Sequence, residues 1–303
     1  MIALQRHNVK PETPEETARV QQSIAHRYAT LSAVKMHYLE AGDGPPLVLI
    51  HGYPQTSYEW RRVIPLLAPR FRVIAPDLRG LGDTSRPASG YDKRTVAGDV
   101  RELLRDHLKL DTIGLVGHDW GGPTAYALTR LDPALVRKLA IIDVVIPGDG
   151  RPGGISQGGN RWHHAFHRTP HLPEALTAGR EDAYLSYFFD EYVSTAGAIT
   201  AEDKAEYVRT YAQPGAMRCG FEFYRATDED ARVNAEELAR LGKLRIPVLG
   251  IAGGKGRGRG PELEESLLRV AETATCHVLP ACGHMVPEED PGRVAALLEA
   301  FFA

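Results

Sequence analysis

Cysteine is scarce in this chain: three residues of 303, Cys219, Cys276 and Cys282. An odd, scattered set without metal-type spacing excludes a disulfide framework and fits a reducing, cytoplasmic setting. Long apolar runs are also missing, so no transmembrane helix is expected. Met1–Val20 is polar and lacks the apolar centre of a signal peptide. Nor is there an excess of either charge. Lys and Arg number 36, Asp and Glu 39, and the net charge is −3, which excludes nucleic acid and anionic membrane surfaces as electrostatic partners. The glycine–arginine run Gly253–Gly260 has no Gly-Lys-Ser/Thr ending, so it reads as a flexible solvated loop and not a phosphate cradle. What is present is a 43% hydrophobic share, enough for a full core, and a length suited to one large α/β domain or a core with an insert.

The pattern along the chain is strand–helix alternation. Residues 23–31 and 34–40 read as a hairpin, and Pro46–Ile50 as a buried strand ending at His51-Gly52-Tyr53-Pro54. Helix around Trp60–Leu67, strand Phe71–Ala75, helix Val96–Leu108 and strand Lys138–Asp143 follow, with a further strand at 112–116 between the last two. The rhythm stops at Pro147-Gly148-Asp149-Gly150. Helical, aromatic-rich segments then run to about Arg240: Trp162–His167, Ala183–Tyr192, Ala201–Tyr211 and Met217–Tyr224. Strands resume at Ile246–Ala252 and Cys276–Leu279, and Arg293–Phe302 closes as a helix. The pattern predicts a mostly parallel sheet covered on both faces, built from residues 1–146 and 246–303, with a helical cap over 147–245.

Gly117-His118-Asp119-Trp120-Gly121 sits where one of those strands meets a helix. Gly-x-nucleophile-x-Gly between strand and helix is the layout of a nucleophile elbow, which lifts its central side chain above the sheet. Here that side chain is a carboxylate. Attack on an acyl carbon would give an anhydride, whereas attack on an sp3 carbon gives an ester that water can cleave. Asp119 therefore points to displacement at a C–O or C–halogen carbon. Cleaving the ester needs a base, and His284 follows the last strand, where an elbow enzyme carries its histidine. The imidazole needs an acid to hold its tautomer. Residues 249–260 offer no Asp or Glu, while Asp143 stands at the end of the strand after the elbow helix, where an unpaired carboxylate would be costly. Asp143 is assigned as the partner of His284. Backbone N–H groups of Tyr53 and Trp120 are placed to hold the oxyanion, and His51 shapes their loop. The leaving oxygen needs donors from the cap, which offers Trp162-His163-His164 and Tyr224.

Gly-His-Asp119-Trp-Gly-Gly together with His51-Gly52-Tyr53-Pro54 resembles the α/β-hydrolase-fold epoxide hydrolases. The resemblance is nearer to the bacterial Cif-type branch, on Tyr58-Glu59-Trp60, Val73–Leu78, Trp162-His163, Phe221–Ala226, Ala252-Gly253-Gly254 and His277–His284. It spans most of the chain from about residue 35. It implies the α/β-hydrolase fold, an apolar epoxide as substrate, and His163 with Tyr224 as the ring-opening pair. The branch carries a Glu where this chain has Asp143, and its secreted members have a leader and a disulfide that are not evident here.

The fluoroacetate dehalogenases look similar at His51–Thr56, Asp143, His163 and Tyr224. They hold the substrate carboxylate with two arginines, and the matching positions are Trp120 and Pro123. Their halide-pocket Trp is matched by His164. Both departures favour an epoxide. A third reading is a non-enzymatic ligand-binding protein that leaves the constellation idle. His163, His167 and His171 recur at metal-type spacing, but Thr169-Pro170 should end the helix before His171, so neither metal nor cofactor is expected. Phe166, Phe188 and Phe189 suit an apolar pocket or the cap's own core. A homodimer is compatible with this reading.

Overall fold

Leu47, Val48, Leu49 and Ile50 are all fully buried, and alternate residues serve opposite faces of the sheet. Leu47 and Leu49 cluster with Trp60, Ile64, Val294 and Leu298, whereas Val48 and Ile50 cluster with Val96, Val100, Ala125 and Leu128. A strand buried on both faces requires helices on both sides. The computed structural model describes residues 24–152 and 161–303. Ser23 and the polar stretch Met1–Val20 lie outside the described residues.

The eight strands are β1 (Ala25–Thr30), β2 (Lys35–Ala41), β3 (Pro46–Ile50), β4 (Arg72–Pro76), β5 (Ile113–His118), β6 (Val136–Ile142), β7 (Val248–Gly253) and β8 (Ala274–Leu279), in the sheet order β1-β2-β4-β3-β5-β6-β7-β8. β2 pairs antiparallel with β1 and β4, and every other pairing is parallel. The register aligns Ile50 with Gly117, His118 with Ile142, and Ile142 with Ile251. The residues that follow β3, β5, β6 and β7 therefore meet at one edge, where open α/β sheets carry their sites.

The core-flanking helices are α1 (Ile64–Leu67), α2 (Lys93–Arg101) and α3 (Gly121–Leu131), joined later by α10 (Pro261–Val270), α11 (Val286–Glu289) and α12 (Pro291–Phe302). In α12, Asp290 accepts the Arg293 N–H at 2.9 Å as an N-cap, and Val294, Ala295 and Leu298 form the buried stripe. Burying each of the larger two stabilises by about 1.5–3 kcal/mol. Between β6 and β7 the chain inserts α4 (Trp162–Arg168), α5 (Leu172–Thr177), α6 (Glu181–Glu191), α7 (Ala201–Tyr211), α8 (Ala216–Arg225) and α9 (Thr227–Leu241).

Several expected bounds shift. β5 runs to His118, two residues past its expected end, because the turn is confined to Asp119 and Trp120. The expected helix Val96–Leu108 starts at Lys93 on an Asp92 cap and passes into a π-helical stretch at Glu102–His107. Helix α9 escapes a hydrophobicity reading because its inward face is polar: Thr227, Asp230, Asn234 and Glu237 are buried. Among the described residues no helix is long and apolar enough to cross a membrane, and all three cysteines are free.

Candidate active site

The elbow is tight for a steric reason. A Cβ on Gly117 would lie 2.2 Å from the Gly121 carbonyl oxygen, so strand and helix can approach this closely only with glycine. Asp119 adopts φ 45°, the left-handed region that Asp tolerates better than most residues. Its side chain meets the β3 loop: Oδ1 accepts the Tyr53 N–H at 2.8 Å. A Cβ on Gly52 would stand 2.3 Å from Asp119 Cβ, so the loop must carry glycine there. Burial alone would raise the pKa of Asp119. The hydrogen bond and charge of His284, the charge of His118 and the Tyr53 N–H outweigh it and hold the carboxylate well below its ordinary range.

Asp143 also has positive φ, 49°, one residue past β6. That turn aims its short side chain across the sheet edge, and Oδ2 lies 2.7 Å from His284 Nδ1. The reach of Asp where the resembling branch has Glu is thus sufficient. Oδ1 accepts the N–H groups of Gly253 and Arg259, each at 2.8 Å. The glycine–arginine run is therefore more than a solvated loop: its centre is exposed, but its two ends are buried and clasp this carboxylate. On the other side of the imidazole, Nε2 stands 3.3 Å from Asp119 Oδ2. Asp119, His284 and Asp143 form one continuous line.

The loop carrying His284 is fixed from beneath. His118 Nδ1 is 3.1 Å from Glu59 Oε2, and its Nε2 is 2.9 Å from the His284 carbonyl oxygen. Glu59 and His118 are both fully buried. Both imidazole nitrogens face oxygen atoms, an arrangement that suits a charged imidazole. Burial opposes that charge, but Glu59 overcomes it and raises His118 to about 9. Glu289 accepts the N–H groups of Gly283, Ser194 and Thr195 at 2.9, 2.7 and 2.9 Å, joining this loop to the segment after α6. His51 serves its own loop: Nε2 accepts the Leu78 N–H at 3.0 Å.

From the inserted helices, His163 and Tyr224 face one another with ring centroids 5.6 Å apart, and Tyr224 packs edge-on against Trp120 at 4.9 Å. Both are buried. Desolvation, reinforced by His164, His167 and Arg161, pushes the His163 pKa well down, so the ring is neutral. Burial and the charge of Asp119 push the Tyr224 phenol well up, so it keeps its proton. His163 Nδ1 lies 3.0 Å from the Tyr192 hydroxyl. The Tyr53 ring fills the space among His167, Phe188, Tyr211 and Tyr224. Phe188 joins this cluster, while Phe189 stacks on Tyr207 at 5.1 Å, away from it, and Phe166 is partly exposed.

All seven residues singled out from the sequence thus converge at the sheet edge or on the helices packed against it. Sequence reasoning missed Tyr192, Glu59, His118 and the backbone clasp on Asp143. In the sequence Tyr192 reads only as the end of a helix, and Glu59 only as part of a resembling stretch. His163, His167 and His171 do not converge on a metal site: α4 ends at Arg168, and His171 is exposed with φ 64°. Among the described residues the group at metal-binding separation is His37, Asp77 and Asp83. There the Asp77 carboxylate already accepts the Ser57 and Asp83 N–H groups and faces His37 Nδ1 at 2.7 Å.

Residues 45–215 match the α/β hydrolase fold family. The chain is 42% identical over 288 residues to a soluble epoxide hydrolase of Corynebacterium sp. (strain C12), covering 92% of this chain and 98% of that protein. It is similar to the crystal structure of wild-type Cfl2 from Burkholderia cenocepacia, with a TM-score of 0.87 and 38% identity over 93% of this chain and 96% of the other. A fluoroacetate dehalogenase of Burkholderia sp. is more distant, 28% identical over 244 residues, covering 78% of this chain and 79% of that protein. The chain belongs to the α/β-hydrolase fold family and, within it, to the epoxide hydrolases.

Proposed function

We propose that this epoxide hydrolase works through a covalent ester of Asp119, under a cap formed by residues 147–245. The observation that carries the reading is the division of labour between the two carboxylate oxygens. Oδ1 is held by the Tyr53 N–H at 2.8 Å, while Oδ2 stands 3.3 Å from His284 Nε2. Oδ2 attacks an epoxide carbon in line, and the C–O bond on the far side breaks. The oxygen released takes a hydrogen bond from neutral His163 and the proton of Tyr224. Oδ1 becomes the carbonyl oxygen of the ester. Esterification removes the charge facing His284 Nε2, which then takes a proton from water, with Asp143 holding Nδ1–H. Water attacks the ester carbon, charge collects on Oδ1, and the Tyr53 and Trp120 N–H groups stabilise it. The ester C–O bond then breaks, and the departing oxygen takes the proton from His284. The acid proton left on Asp119 returns to Tyr224, and the diol leaves with the Asp119 carboxylate regenerated.

The aromatic walls from Tyr53, Phe188 and Tyr224 suit a small apolar epoxide. A haloacetate would need its carboxylate clamped, and Trp120 and Pro123 offer no guanidinium there. The test is trapping. His284→Gln, incubated with styrene oxide, should gain the mass of one substrate on the peptide containing Asp119, and Asp119→Ser should form no diol. Wild-type diol formation by Asp119→Ser would sink the reading.

A further inference from the structure

A neutral imidazole has one N–H, and only one of its two tautomers lets His163 donate toward an epoxide oxygen. Nδ1 is already engaged, 3.0 Å from the Tyr192 hydroxyl in a buried contact. Among the described residues that hydroxyl has no other partner, and neither has His163 Nε2. Two arrangements are open. If Nδ1–H donated to the phenol oxygen, the phenol proton would be left without an acceptor and Nε2 without a donor. If the phenol donates to Nδ1, the phenol oxygen is left without a donor and Nε2–H is free for a ligand. Each arrangement leaves one donor unmade, so the choice turns on the bond formed. Phenol is the stronger acid and an imidazole nitrogen the stronger acceptor, so O–H···N is the better bond. The weakly basic phenol oxygen is also the less costly acceptor to leave unpaired, which favours the second arrangement.

Tyr192 is also firmly placed. It ends helix α6, its carbonyl oxygen accepts the His284 N–H at 2.8 Å, and its ring lies 5.8 Å from the His284 ring. The next residues, Ser194 and Thr195, are bound to the Glu289 carboxylate that also holds Gly283. One residue therefore touches the base of the second half-reaction through its backbone and the donor of the first through its side chain.

We infer that Tyr192 is a positioning residue whose phenol donates to His163 Nδ1 and so fixes the Nε2–H tautomer that ring opening uses. The inference rests on the reading of His163 as a ring-opening donor. It does not place Tyr192 in contact with substrate. It predicts that losing the hydroxyl slows formation of the Asp119 ester and leaves hydrolysis of that ester unchanged.

The test has two arms. Nitrogen-15 NMR of wild-type protein labelled at histidine, with the His163 signals assigned by their loss in His163→Gln, should show Nε2 as the protonated nitrogen and Nδ1 as the acceptor. A protonated Nδ1 would overturn the inference. In the His284→Gln background, Tyr192→Phe should lower the single-turnover rate of adduct formation with styrene oxide by roughly 10- to 100-fold, the scale at which outer partners of an active imidazole act. The concentration for half-saturation should stay put. An unchanged rate would also overturn it. His163→Gln in the same background tests the underlying reading separately. If that variant forms adduct at the parental rate, the donor role of His163 fails, whatever the tautomer in the spectrum.

Discussion

Asp119 and Asp143 both sit one residue past a parallel strand in left-handed backbone, φ 45° and 49°. A non-glycine residue held there costs of order 1 kcal/mol or more, and aspartate is among the side chains that bear it best. In Asp143 both carboxylate oxygens are engaged: two backbone N–H groups take Oδ1 and His284 takes Oδ2. Asp143→Asn should keep the backbone turn and the two N–H bonds to Oδ1. It would present an NH2 to His284 Nδ1, which then has to accept, and the proton moves to Nε2. An Nε2 that carries the proton cannot deprotonate water. We expect steady-state diol formation to fall by roughly 10³–10⁴-fold, the cost of the wrong tautomer in a histidine–aspartate pair. Ester formation should survive, so the Asp119 adduct should accumulate in the variant as in His284→Gln. A variant that turns over at the wild-type rate would remove Asp143 from the catalytic line. The three residues of that line could be found in the sequence because each stands at a strand end, and strand ends can be read from apolar runs. Tyr192 could not. Its role depends on a contact across 29 residues of chain with His163, and no local pattern encodes it.

The elements around the elbow differ sharply in how much room they leave. Gly121 opens α3 against β3, and a Cβ there would meet the Ile50 carbonyl oxygen at 2.2 Å and that of His51 at 2.7 Å. Gly98, in the middle of α2, would meet nothing within 4 Å. The same substitution should therefore act in opposite directions. Gly98→Ala removes unfolded-chain freedom without a clash and should stabilise by about 0.5–1 kcal/mol. Gly121→Ala pushes on backbone and should cost 3 kcal/mol or more, on the order of the worst core substitutions. Equal effects on the denaturation midpoint would mean that α3 does not lie against β3 as described. At this scale the strands were the most legible part of the chain, since runs such as Pro46–Ile50 are buried on both faces and hence continuously apolar. Helix α9 was hidden for the converse reason. Its buried side chains include Asp230, which pairs with Lys93 at 2.8 Å, Asn234, which donates to the Pro147 carbonyl, and Glu237, paired with Arg94. A polar inner face leaves no hydrophobic periodicity to read.

Across the whole molecule, buried carboxylates add ion pairs and hydrogen bonds to the apolar packing between elements. Asp230 on α9 holds buried Lys93 on α2, whose ammonium lies 4.3 Å from the Trp120 ring. Asp203 on α7 meets Arg61, Arg62 and Tyr58. Asp77, just past β4, binds His37 of β2 together with the Ser57 and Asp83 N–H groups. Burial by itself would raise the pKa of Asp77. The hydrogen bond and charge of His37, with His51 and the Asp83 N–H, reverse this and bring it down to about 2 from an ordinary 3.8. A carboxylate whose pKa is depressed by folding contributes stability that is present above its unfolded value and is lost as pH falls through the folded one. The shift amounts to about 2 kcal/mol, all of it present at neutral pH and withdrawn between about pH 4 and pH 2. Asp77→Asn should therefore be less stable than wild type by about that amount at pH 7 in urea denaturation, and the gap should close as pH drops from 4 toward 2. A gap that stayed constant over that range would show that Asp77 is held by packing and not by its charge. A gap that closed only above pH 4 would assign the acid sensitivity to other carboxylates.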